Sequence, residues 1–133
     1  MTDTLRKRLE KVRLALLALH KALVDSERAS YEQTMGVIKS PNHFLKLLTD
    51  DPWFAWLKPI SSLIVSMDEA LDMKESPGDS VVEALLKETH VLLVPSENGE
   101  GFGRHYFDAL QRDPNVILAH ADVTKLFEKR KPK

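Results

Sequence analysis

Five histidines, His20, His43, His90, His105 and His120, are the side chains of this sequence best suited to metal binding or proton transfer. Helical proteins that hold a di-metal centre aim Glu-x-x-His pairs inward, because residues three apart share a helix face. The sequence has no Glu-x-x-His and no His-x-x-x-His. Glu88 with His90, and His120 with Asp122, are two apart and face different ways. His20 and Glu27 are seven apart and share a face, with Tyr31 one turn further on. With His43 they are the candidate lining of an internal polar pocket for a metal ion or a small ligand. The competing reading is a polar stripe hydrogen-bonding across a bundle, and the spacing favours it. No residue is assigned as a metal ligand.

Nucleophilic chemistry has less support. With no cysteine, disulfides, thiolate catalysis and Cys-ligated zinc or iron–sulfur clusters are all excluded. No serine sits in a strand–turn–helix elbow. His20-Lys21-Ala22-Leu23 lacks the small neighbours expected beside a phosphohistidine. The sequence argues against an enzyme and requires no cofactor.

Two constellations point to binding. Trp53, Phe54 and Trp56 crowd one turn, and both tryptophans of the chain are among them. Each helical residue rotates by about 100°, so the three rings cannot all face one way. One is expected at a rim or interface, where aromatic anchors are enriched. A core plug at a bend is the plainer expectation. The second is the loop Asn98 to His105, with Gly101 and Gly103 ahead of a helix and Arg104 beside them. Helix-start N–H groups can hold an anion. Glycine-rich phosphate loops follow a strand, however, and this one follows a helix and carries Glu100, so a flexible connector is favoured.

Charge is unevenly spread. Residues 1–13 hold five basic and two acidic side chains, residues 125–133 five and one, and residues 40–101 four and eleven. This would favour head-to-tail contact or an acidic ligand; solvated termini are the simpler account. The net charge of −1 makes nucleic acid an unfavoured partner. Leu14 to Leu19 follow a basic stretch but are broken by His20 and Lys21, so a signal peptide is not expected. No run approaches the ~20 apolar residues of a membrane span.

The elements that must position these groups are helices. Leu5, Leu9, Val12, Leu16, Leu19 and Leu23 alternate spacings of four and three, a single stripe close to a heptad seam. The first helix is expected from about Asp3 to the late thirties. Beyond Leu23 the seam turns polar at Ser26, Ser30 and Gln33, and apolar positions move to Val24, Tyr31 and Ile38. Ser40-Pro41 and Asp50-Asp51-Pro52 are helix starts, and Pro59 should kink or restart the second long helix. Ser76 to Asp79 reads as a turn, with Ser80 and Glu83 as a capping box. Further helices are expected up to Pro95, from Phe102 to Arg112, and after Asp113-Pro114, with a frayed basic tail at 129–133.

The whole reads as one domain, residues 1–133. It is all-α: a four-helix-type bundle with a long first helix, a Pro-kinked second helix and short extra helices. Asp51-Pro52-Trp53-Phe54-Ala55-Trp56-Leu57-Lys58-Pro59, with Gly103-Arg104-His105-Tyr106 and Leu118-Ala119-His120-Ala121-Asp122, resembles a family of short bacterial helical proteins. That resemblance implies a bacterial, cytoplasmic protein and brings no site residues with it. The histidine spacings of hemerythrins are missing. The expectation is a binding protein that engages a protein partner or a second copy of itself, through Trp53–Trp56 or the leucine seam. The alternative is the polar pocket for a metal ion or small ligand.

Overall fold

A computed structural model describes residues 2–72 and 78–128 of the chain. Among them are six α-helices, one 3-10 turn and no strand. The helices are α1 (Asp3–Met35), α2 (Pro41–Asp50), α3 (Lys58–Asp72), α4 (Asp79–Leu92), α5 (Phe102–Arg112) and α6 (Pro114–Lys125); the 3-10 turn is Pro52–Leu57. The Ser76-Pro77 part of the expected turn and the basic tail 129–133 lie outside the described residues.

The long helix α1 is built as its sequence requires. Thr2 caps it, its hydroxyl accepting from the Leu5 N–H at 3.2 Å. The 33 residues that follow extend roughly 50 Å. The helix ends at Gly36, earlier than the late thirties, because Gly36 takes φ 106° and ψ 169°. Side chains rarely tolerate that conformation, and a glycine there stops the helix.

Leu9, Val12, Leu16, Leu19 and Leu23 are all 0% exposed. They pack against α3, α4 and α6 of the same chain. Each such side chain contributes roughly 1.5–3 kcal/mol through burial. This overturns one expectation: the seam is consumed inside one molecule and is not free to serve as a dimer face.

Polar contacts fix the helix directions. Arg6 donates to the Leu71 carbonyl at 3.0 Å, Arg13 pairs with Asp68, and His20 meets Ser61 Oγ at 3.0 Å. The numbers rise along α1 as they fall along α3, so the two helices are antiparallel. Arg8 lies over the Phe127 ring at one end of α1, and Ser26 meets Arg112 near the other, so α6 also runs opposite to α1.

Three helix starts share one chemistry. Ser40, Asp51 and Asp113 each accept a backbone N–H of the first turn, from His43, Trp53 and Asn115, and each is followed by proline. The missing proline N–H has no intrahelical partner to lose there. The same argument corrects the expected Pro-kinked helix. The 3-10 turn ends at Leu57 and α3 begins at Lys58, so Pro59 falls in a first turn and marks a restart. The Ser80–Glu83 capping box does not form either. Gly78 is the N-cap of α4 with no side-chain cap bond, and Ser80 lies inside the first turn. Asp79 instead accepts from the Thr2 N–H at 3.0 Å, tying the starts of α4 and α1 together.

Candidate functional site

The polar change in α1 at Ser26 marks the best-built polar cluster of the molecule. Glu27 is only 6% exposed and Ser26 4%. A buried carboxylate must be paired and hydrogen-bonded. Arg112, the last residue of α5, donates to Glu27 Oε1 at 2.9 Å and to Ser26 Oγ at 3.0 Å. Trp53 Nε1 donates to Glu27 Oε2 at 2.9 Å. Tyr31 stands edge-on to Trp53 with ring centroids 5.5 Å apart. Both carboxylate oxygens are therefore taken, one by a guanidinium and one by an indole. The cluster joins α1, α5 and the 3-10 turn.

The other residues expected in that pocket lie apart from it. His20 faces α3 and bonds Ser61, and burial lowers its pKa from 6.5. His43 is exposed on the first turn of α2, with Nδ1 accepting from the Lys39 N–H at 3.3 Å. Glu27 and Tyr31 are thus brought together with Trp53, whereas His20 and His43 are bonded elsewhere. Among the described residues, no group of three metal-ligating side chains could hold a metal ion.

The aromatic turn packs inward. Phe54 is 1% exposed and Trp56 9%, while Trp53 is half-buried on Tyr31. Phe54 meets Phe44 edge-on at 5.8 Å, which seats α2 on the 3-10 turn. Trp56 packs on Phe102 and stacks on His105 at the start of α5. The irregular turn lets three adjacent rings serve three neighbours, so none is spent as an exposed anchor.

The glycine loop is folded on itself. Gly101 has φ 69°, and the Gly103 carbonyl accepts from the Ser96 N–H at 3.0 Å. Arg104 donates to the Glu97 carbonyl at 2.6 Å and pairs with Asp108. Its guanidinium is therefore turned toward the loop and its own helix.

Two surface features escaped the sequence reading. One is a groove of about 410 Å³ between the end of α1 and α2, lined by Arg28, Ile38, Lys39, Ser40, Pro41, Phe44, Leu45 and Leu48. Arg28 lies 4.7 Å from the Phe44 ring centroid and pairs with Glu32. Of its lining, Leu45 is 63% exposed; Met35 at the end of α1 and Val37 just after it are 63 and 74% exposed. The helix α2 has no buried residue. Its strong amphipathicity was the available signal.

The other is a smaller pocket of about 170 Å³ between α4 and α6, lined by His90, Leu93, Val94, Pro95, His120, Thr124 and Phe127. Behind it Tyr106 is fully buried and its hydroxyl meets His120 Nδ1. Burial raises the Tyr106 pKa and lowers that of His120. His90 stacks on Phe127 with centroids 4.8 Å apart. A tyrosine in the core phase of α5 needs a polar partner, which was the signal for this pair.

No protein-family model, curated protein or solved structure matches the chain.

Proposed function

We propose that the chain is a non-enzymatic four-helix-type bundle that binds a protein partner through the groove between α1 and α2. The observation that supports this is a groove with Ile38, Phe44, Leu45 and Leu48 in its lining, on a helix α2 that has no buried residue. An apolar groove on the surface is a common place for a protein to take a partner's helix. Helices α1, α3, α4 and α6 form the bundle proper, and α2 with the 3-10 turn forms the binding end.

The partner is an amphipathic segment that carries carboxylates. The charged side chains lining the groove are Arg28 and Lys39, both basic. The apolar lining of Ile38, Phe44, Leu45 and Leu48 suits a helix laid into a groove. The resemblance noted for the aromatic turn implies a bacterial, cytoplasmic setting for this interaction.

The test uses two synthetic helical peptides with the same leucine face, one with glutamates and one with lysines on its polar face. Fluorescence anisotropy should show saturable binding of the glutamate peptide and at least about tenfold weaker binding of the lysine peptide. Leu45→Glu should abolish the first without changing the helical circular dichroism. Equal binding of both peptides, or binding untouched by Leu45→Glu, overturns the reading. Sedimentation of the unliganded protein separates a second copy from a foreign partner: self-association lost in Leu45→Glu would replace the foreign partner with another copy.

A further inference from the structure

We propose that the pocket between α4 and α6 is a binding site for a small monocarboxylate, held by His120 Nε2–H and the neighbouring His90. Three independent features support it, and none depends on the groove at α2.

The first is hydrogen-bond accounting. Tyr106 is 0% exposed, so its hydroxyl proton must be donated within the protein. His120 Nδ1 is the acceptor that the structure supplies. A neutral imidazole that accepts at Nδ1 carries its proton at Nε2. Tyr106 therefore fixes both the ring orientation and the tautomer, and the nitrogen left for a ligand is a donor. This arrangement cannot take a proton from a ligand at Nε2. It can donate to an oxygen, which makes the site one for binding and not for general-base chemistry.

The second is the charge of the surroundings. His90 and His120 are the titratable groups that line the pocket, and no carboxylate lines it. Arg8 of α1 does not line the pocket but lies over the Phe127 ring that does, with its guanidinium carbon 5.8 Å from the ring centroid. Thr124 Oγ1 donates to the Ala121 carbonyl, so its lone pairs, not its proton, are free. The pocket itself thus presents imidazoles from α4 and α6, while the α5 phenol and the α1 guanidinium stand behind His120 and Phe127.

The third is shape. Leu93, Val94, Pro95 and Phe127 supply the apolar lining, with His90 stacked on the Phe127 ring. The volume of about 170 Å³ is well below the ~300 Å³ at which pockets for drug-sized ligands begin. A carboxylate with a short aliphatic chain or a single ring suits a mixed imidazole and apolar lining of this size.

The experiment is a titration of the full chain with sodium butyrate and sodium benzoate near pH 7, followed by imidazole resonances in ¹H–¹⁵N spectra. Butyramide and sodium chloride at matched ionic strength are the comparison probes. The expected result is a saturable shift of His120 and His90 by at least one of the two carboxylates, with Kd near or below about 1 mM. Butyramide should bind at least about tenfold more weakly than butyrate. His120→Gln should lose the response, and Val94→Trp at the exposed rim should block it without touching a buried polar group. His43→Gln should leave it unchanged. No saturation by either carboxylate, equal binding of butyramide, the same shift from chloride alone, or a response that survives in a folded Val94→Trp protein overturns the proposal.

Discussion

Arg112 meets Glu27 across 85 positions of sequence, Nη2 to Oε1 at 2.9 Å, and holds the end of α5 on the C-terminal third of α1. The carboxylate side chain is 8% exposed and the guanidinium 37%, so the pair lies at the edge of the core. Removing one partner leaves the other unpaired. Arg112→Ala is expected to destabilise the fold by about 2–4 kcal/mol, because it leaves the buried Glu27 carboxylate without its counter-charge. Glu27→Ala should cost less, about 1–2 kcal/mol, because the Arg112 guanidinium left behind keeps access to water and to Ser26 Oγ. Urea denaturation of both variants and the double variant should show a coupling of about 1 kcal/mol or more. Strict additivity would mean that the two side chains act separately.

Trp53 contributes a ring and an N–H that can be separated. Trp53→Phe keeps the edge-on contact with Tyr31 and removes the donor to Glu27 Oε2. The expected loss is about 1 kcal/mol in chemical denaturation. Trp53→Ala should cost more, since it also removes the packing against Tyr31.

Gly36 and Pro59 test the two ends of helices. Gly36→Ala meets open space but must adopt φ 106°, and a cost of about 1–3 kcal/mol is expected. Pro59→Ala should change stability by less than about 1 kcal/mol, because Pro59 lies in a first turn and blocks no hydrogen bond. A large loss for Pro59→Ala would show that the proline constrains more than that turn. Thermal melts of both proteins provide the comparison.

Stability should fall with acid. Burial lowers the pKa of His20 and of His120 from 6.5 in the folded chain. The unfolded chain therefore takes up these protons first as the pH drops. Their contribution is complete above the unfolded value of 6.5 and declines as pH falls from there to the folded values. Melting temperatures measured between pH 8 and pH 5 should decrease in that window, and His20→Gln should flatten the decrease. An unchanged profile in the variant would remove His20 from the account.

The leucine stripe, the proline-marked starts at Pro41, Pro52 and Pro114, and the all-helical class follow from local rules: apolar period, capping and missing donors. Those rules act within a few residues, so one chain reveals them. The polar shift at Ser26 was also legible, and the seven-residue spacing from His20 singled out Glu27 and Tyr31. Its partners were not. Arg112 lies in a different helix, and nothing local distinguishes it from the other solvated arginines. The Ser80 cap failed for a similar reason, since Asp79 finds Thr2 only when two helix starts are packed side by side.

Sequence alone determined that this chain is helical, which stripe of α1 is apolar and where most helices begin. Tertiary structure decided the use of each surface. It turned the leucine seam into a core, Trp56 and Phe54 into plugs, and His20 into a partner of Ser61. It also joined Tyr106 to His120. Helical period specifies a face, but the energy of a buried polar group depends on the atom that meets it, and that atom comes from elsewhere in the chain.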